Sequence, residues 1–220
     1  MAYRGGIRGL RRRWVAGASA ALALGLISGC GSTPHAAPPK PKHWSKPPAM
    51  AINPNAKYTA IVKTSLGTFD IKLFAKQDPV AVNNFVFLAR QGFYDNLRIF
   101  RIVPSFVFQT GDPKNDGQGG PGYYVKDELP PTVPYGPGVV AYANNGPNHN
   151  GSQFFVCTGS ASASLSSDPA FTEIGQVTTS TMPVVEKIGS VKVKYNPAFQ
   201  ETSMPVHPVT MISVTIRESS

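Results

Sequence analysis

The chain has 220 residues, 41% of them hydrophobic, and a formal charge of +9, which suits one domain with an ordinary core plus appendages. The basic excess is uneven. Arg4, Arg8, Arg11, Arg12 and Arg13 lie in the first 29 residues without an acid, leaving 16 basic against 12 acidic residues, or +4, beyond them. No Lys/Arg cluster interleaved with aromatics follows, so a nucleic-acid-binding reading is excluded.

The start of the chain reads as an export signal. Residues 14–27 (WVAGASAALALGLI) follow the arginines and lead into Ser28-Gly29-Cys30. A basic start, a short apolar run and small residues before a break describe a cleaved leader, and 14 residues fall well short of the ~20 of a spanning helix. Ile27-Ser28-Gly29-Cys30 is similar to the lipobox of bacterial lipoproteins. That implies residues 1–29 are a signal peptide and Cys30 a lipidated first residue. The other reading is an ordinary secretory signal with an incidental cysteine. Arg12-Arg13 hints at twin-arginine export, but the rest of that pattern is poor. Residues 30–56 carry seven prolines between 31 and 55 and read as an extended, largely unfolded tether, with Trp44 a loosely ordered exception.

The folded domain is expected over 57–218. Residues 58–64 and 68–74 alternate around Ser65-Leu66-Gly67, a hairpin. Asp78-Pro79 opens a helix with Asp at the N-cap; Val82, Phe85, Val86 and Ala89 form its apolar face and Gly92 stops it. Short β-rich runs follow at 98–103, 106–109, 138–143, 154–158, 171–177 and 209–216, with a second short helix over 183–189. Many short strands with two helices predict a mainly β, closed antiparallel barrel.

Three segments carry chemistry. Residues 141–158 (AYANNGPNHNGSQFFVCT) deliver a glutamine and a phenylalanine pair from a Gly/Asn/Pro loop onto a strand, a way to build a binding face on a rigid sheet. With FRIVPSFVFQTGD (100–112) and GQGGPGY (117–123) they resemble the cyclophilin family of peptidyl-prolyl cis-trans isomerases. The resemblance implies an eight-stranded barrel capped by two α-helices, with the site on its outer wall.

It also implies the roles. Arg101 falls on the family's catalytic arginine and Gln109 beside it; eight residues apart, the two share a sheet face if strand geometry carries across Pro104-Ser105. The Gln109 carbonyl would accept from the guanidinium and its amide would meet substrate backbone. Phe106, Phe155 and Leu165 match apolar walls of the proline pocket, and Val107 stands where a larger methionine is usual. Asn144 would give main-chain hydrogen bonds to the residue before proline. Ala143, Gln153, Gly117 and Gln118 would flank a neighbouring pocket. Phe154, Phe108 and Ile102 are expected inside the barrel.

The pattern departs from the family at Ile99-Phe100, where Phe-His is common, and at Ser164, where a large residue lines the cyclosporin surface. Phe171, also assigned to the substrate site, stands where histidine is frequent. Weak cyclosporin binding is expected. The glycine run 117–122 lacks a following Lys-Ser/Thr and is not a phosphate loop. His35, His43, His149 and His207 show no metal-ligand spacing. No metal or cofactor is expected, and Cys157 reads as a packed thiol.

The expected activity is therefore Xaa-Pro isomerisation in unfolded exported proteins. A monomer anchored by lipidated Cys30 on the extracytoplasmic membrane face would carry it out. The rival is a non-catalytic proline-peptide-binding chaperone or surface module using the same groove.

Overall fold

The computed structural model describes residues 42–219; the expected leader and Cys30 lie outside them. Alternation builds the sheet. In β1 (Lys57–Thr64) every second residue from Tyr58 to Thr64 is buried, and β2 (Gly67–Leu73) repeats this with Phe69, Ile71 and Leu73. The two pair antiparallel around the expected turn.

Helix α1 (Pro79–Arg90) buries Val82, Phe85, Val86 and Ala89 as predicted, together with Asn83 and Asn84. Asp78 is its N-cap residue and Pro79 its first residue, as expected, but the cap is made differently. The Asp78 side chain makes no capping bond; the Glu128 carboxylate takes the Val80 and Ala81 N–H groups at 3.1 and 2.8 Å. A carboxylate from a distant loop meets the positive helix end. Asp78 is instead buried beside Glu128 and Glu173, and burial followed by these like charges pushes its pKa up to about 7.

The remaining strands are β3 (Leu97–Arg98), β4 (Arg101–Val103), β5 (Val107–Thr110), β6 (Val139–Tyr142), β7 (Phe154–Cys157), β8 (Glu173–Val177), β9 (Val193–Asn196), β10 (Glu201–Pro205) and β11 (Thr210–Ser219). Helix α2 covers Met182–Gly189. Nine strands form one sheet in the order β3-β11-β1-β2-β8-β6-β7-β5-β4, while β9 and β10 form a separate hairpin. The fold is mainly β as expected; where a closed eight-stranded barrel was expected, one curled sheet of nine strands stands, and its edges β3 and β4 share no ladder. Those edges are parts of one stretch, 97–103. Within it the Ile99 N–H donates to Val209 O and the Phe100 N–H to Gln109 O. The curled sheet and α1 enclose a core that includes Phe69, Phe85, Tyr94, Ile102, Phe108 and Phe154.

Residues 42–56 are no free tether. Ile52 is buried in the main core, Asn83 bonds the backbone of Ala49 and Ala51, and Trp44 packs edge-on against Phe87 with centroids 5.2 Å apart. Proline content speaks for a stiff backbone, but a stiff chain can still lie in a groove and bury its few apolar side chains. Among the described residues no helix is long and apolar enough to cross a membrane.

Candidate active site

The site sits outside the curled sheet because the strands alternate. On β7, Phe154 enters the main core and Phe155 points the other way, into a smaller cluster with Val107, Ala141 and Cys157. Phe106, Ala143, Leu165 and Phe171 pack on that cluster, and Phe171 meets the Phe155 ring edge-on at 5.3 Å. The result is an apolar pocket on a rigid floor. It opens into a cavity of about 340 Å3 that all twelve sequence-assigned residues of the domain site line.

Arg101 and Gln109 meet for a different reason than the even spacing suggested. Strand geometry does not carry across Pro104-Ser105. The chain turns there, with Ser105 at φ 61°, and β4 pairs antiparallel with β5, placing Arg101 directly opposite Gln109. Cross-strand partners share a face. The guanidinium Nη1 lies 3.4 Å from Gln109 Oε1, Gln109 Nε2 donates to Gln153 Oε1 at 2.9 Å, and Gln153 Nε2 donates to Gly119 O at 2.9 Å. One N–H of the Gln109 amide thus holds Gln153, and its second N–H is left over. This relay joins the arginine to the glycine loop.

That loop is built around Asp112. Its fully buried carboxylate accepts the N–H groups of Lys114, Asp116 and Gly117 at 2.7 to 3.1 Å. A Cβ at Gly119 would meet Asp112 Oδ1 at 1.8 Å, so the loop can close only on glycine here. Asn84, buried in α1, donates to Gly151 O and Tyr142 Oη and accepts from Tyr123 Oη, each at 2.8 Å. It fixes the loop before β7 at Gly151.

Asn144 anchors itself through its side chain, which donates to Ala170 O and Asn150 Oδ1. Its own N–H and carbonyl take no partner among the described residues, leaving a strand-like edge at the cavity. Ser164 is exposed, bonds Ala161 O, and does not line the cavity.

Sequence reasoning missed the hairpin. Glu201 on β10 grips Arg101 with two oxygens, at 2.5 Å to Nε and 3.2 Å to Nη2. Phe199 lies 5.5 Å beneath the guanidinium, stacks on Phe100 and closes the cavity over Gly117. Burial raises the Glu201 carboxyl, but the Arg101 hydrogen bond and charge outweigh it and hold it below its ordinary value. The alternating Val191-Lys192-Val193-Lys194-Tyr195 before Asn196-Pro197 is a hairpin signal, although nothing in it says which face meets Arg101. Tyr124 and His149, ring to ring at 4.9 Å, form a further wall not foreseen.

Cys157 is fully buried, and burial pushes its thiol up to about 11. That disfavours the nucleophilic thiolate. Among the described residues no three His, Cys, Asp or Glu side chains could hold a metal.

Known proteins are similar to this chain in sequence and fold. Peptidyl-prolyl cis-trans isomerase-like 1 of Aspergillus fumigatus is 39% identical over 136 residues, covering 60% of this chain and 82% of its own. Peptidyl-prolyl cis-trans isomerase CYP18-2 of Arabidopsis thaliana is 35% identical over 159 residues, covering 70% and 91%. In structure, a cyclophilin type peptidyl-prolyl cis-trans isomerase of Cryptosporidium parvum superposes with a TM-score of 0.65 at 24% identity, covering 74% of this chain and 99% of that one. A second structure of that protein, in the presence of the dipeptide Ala-Pro, gives 0.61 at 27% identity over 73% and 99%. The family model described as cyclophilin type peptidyl-prolyl cis-trans isomerase/CLD matches residues 59–216, and the chain belongs to that family.

Proposed function

We propose that this chain accelerates cis–trans rotation of Xaa-Pro bonds in exported proteins, with Arg101 as the donor to the rotating imide. The observation that carries this reading is a held guanidinium beside an apolar pocket walled by Phe106, Phe155, Leu165 and Phe171. Arginine has five N–H donors; Glu201 takes two and Gln109 one, leaving two for substrate.

The chemistry asks for little else. The barrier to rotation is ~18–20 kcal/mol. A turnover of ~10³ s⁻¹ corresponds to about 13 kcal/mol, so about 6 must be removed. A charge-assisted hydrogen bond to the pyramidalising prolyl nitrogen weakens resonance and supplies ~1.5–3 of these. The remainder comes from excluding water and holding the ring between Phe106 and Phe155, in a pocket shaped for the twisted state. The free Asn144 main chain adds the backbone bonds that orient the residue before proline. The stretch 97–103, bridging the seam of the sheet, supports treating the curled wall as a barrel with its site outside. The relative studied with Ala-Pro supports a proline-containing peptide as the ligand.

An NMR exchange assay on a short Xaa-Pro peptide tests the reading. Enhanced exchange is expected. Peptide binding without enhanced exchange would leave a non-catalytic proline-binding module.

Export and anchoring belong to the same proposal and rest on the sequence alone. Basic residues 4–13, the apolar run and Ser28-Gly29-Cys30 support a bacterial lipoprotein signal and a diacylated Cys30. Two acyl chains, at ~0.8 kcal/mol per buried CH2, suffice for stable anchoring. Intact-mass measurement of the membrane-fraction protein should show a lipidated chain starting at Cys30. An unmodified soluble chain starting at or after Gly31 would leave a freely secreted isomerase.

A further inference from the structure

Arg101 is a flexible side chain on a two-sided strand, and its bond to Gln109 is long at 3.4 Å. Left to that bond alone, the guanidinium would sample several rotamers, and only some would aim a donor at the imide nitrogen. The Glu201 carboxylate supplies what is missing. It takes Nε and Nη2 together, the side-on fork geometry that fixes a guanidinium plane as well as its position. Phe199 covers one face of that plane. The pair is partly shielded, with the Arg101 and Glu201 side chains 21% and 32% exposed, so water competes less than at an open surface. Both holders come from β9–β10 and its turn, a hairpin separate from the curled sheet.

We infer that Glu201 is a positioning residue for the isomerase reaction, acting through Arg101, and that the 193–205 hairpin exists in part to bring it there. This rests on Arg101 being the catalytic donor. The carboxylate uses the side-on edge of the guanidinium and, with Gln109 taking one Nη1 N–H, leaves two N–H groups unengaged, so it orients the donor without consuming it.

The experiment is a cycle of kcat and KM on an Xaa-Pro peptide with thermal unfolding alongside. Glu201→Ala should lower kcat/KM about tenfold, mostly through kcat, within the ~10²-fold that a 1 Å misplacement of a reacting group can cost. Glu201→Gln keeps the shape and one acceptor and should recover part of the loss; it also serves if the alanine variant fails to fold. In an Arg101→Ala background, Glu201→Gln should change activity less than twofold. Three results would overturn the role: unchanged activity in folded Glu201→Ala and Glu201→Gln proteins, increased activity in either, which would make Glu201 a mask, or an equal loss with and without Arg101. A wild-type chain without isomerase activity would sink the functional reading and this role with it, whereas an active wild type with indifferent Glu201 variants would sink the role alone.

Discussion

The two halves of the cavity are built by different means. The apolar half, around Phe106, Val107, Phe155 and Phe171, grows out of strand alternation over a rigid sheet. The polar half, around Arg101, Gly117 and Gly119, is assembled by side chains that reach across the fold: Asp112 to its loop, Gln153 to Gly119, and Glu201 to Arg101 across 100 residues of sequence. A wall made by alternation tolerates local change, because its neighbours share the packing. A wall made by a few buried polar anchors fails when one anchor goes.

The largest test of that difference is Asp112→Ala. It leaves three N–H groups without their acceptor at a fully buried position. Each unsatisfied group costs ~1–3 kcal/mol, less where water can enter, so a loss of about 3 kcal/mol is expected by chemical denaturation. KM should rise with the disordered glycine loop. A loss below 1 kcal/mol would show that the polar half does not hang on this carboxylate.

Next comes Arg101→Ala, expected to lower kcat/KM by about one to two powers of ten as a ~1.5–3 kcal/mol hydrogen bond is lost. It also strips Glu201 of its partner at a partly shielded site, so stability should fall by about 1 kcal/mol. Unaltered isomerase activity in the folded variant would exclude Arg101 as the donor.

The same division explains what sequence could tell. Phe154 inside and Phe155 outside follow from period two on a recognisable strand, and the apolar face of α1 follows from its 3.6-residue spacing. The position of Arg101 beside Gln109 was reachable by resemblance, though the even-spacing argument led there by the wrong geometry; the Ser105 turn makes them cross-strand partners. Glu201 and Phe199 were out of reach, because a hairpin's docking partner is set by tertiary contacts and not by its own alternation. The capping of α1 by Glu128 in place of Asp78 was invisible for the same reason. Trp44 looked idle because proline-rich composition speaks about backbone stiffness, not about where the chain lies.

A subtler test reaches the apolar half from below. Asp78, Glu128 and Glu173 gather under it, Glu173 next to Thr172 and Phe171, with its Oε2 holding the backbone of Thr132 and Val133. The folded Asp78 carboxyl titrates near 7 against an ordinary 3.8. Below pH 4 it is protonated folded and unfolded, and its effect is neutral. Between about 4 and 7 the unfolded state loses its proton first, so stability falls as pH rises. At ~1.4 kcal/mol per unit, half of this rise is worth about 2 kcal/mol. Asp78→Asn should abolish that slope and be more stable than wild type at pH 8, as followed by denaturant midpoints at pH 4 and 8. A slope that survives the substitution would show that Asp78 is not its source.

The smallest expected effect concerns the segment that joins the two halves to the rest of the chain. Trp44 rests on Phe87 and Phe93, and its backbone N–H donates to Pro121 O at 2.8 Å, at the end of the glycine loop. It therefore braces the polar half from outside. Burying a whole tryptophan is worth ~3–5 kcal/mol on truncation, and Trp44 is only partly covered, so Trp44→Ala should cost about 1–2 kcal/mol. Because the backbone bond to Pro121 survives, kcat should stay near wild type while KM rises by less than threefold. The contrast with Asp112→Ala is the point of the measurement: one removes packing beside the loop, the other removes the acceptor inside it. If Trp44→Ala raised KM as much as Asp112→Ala, the loop would owe its shape to the 42–56 segment as much as to its own carboxylate.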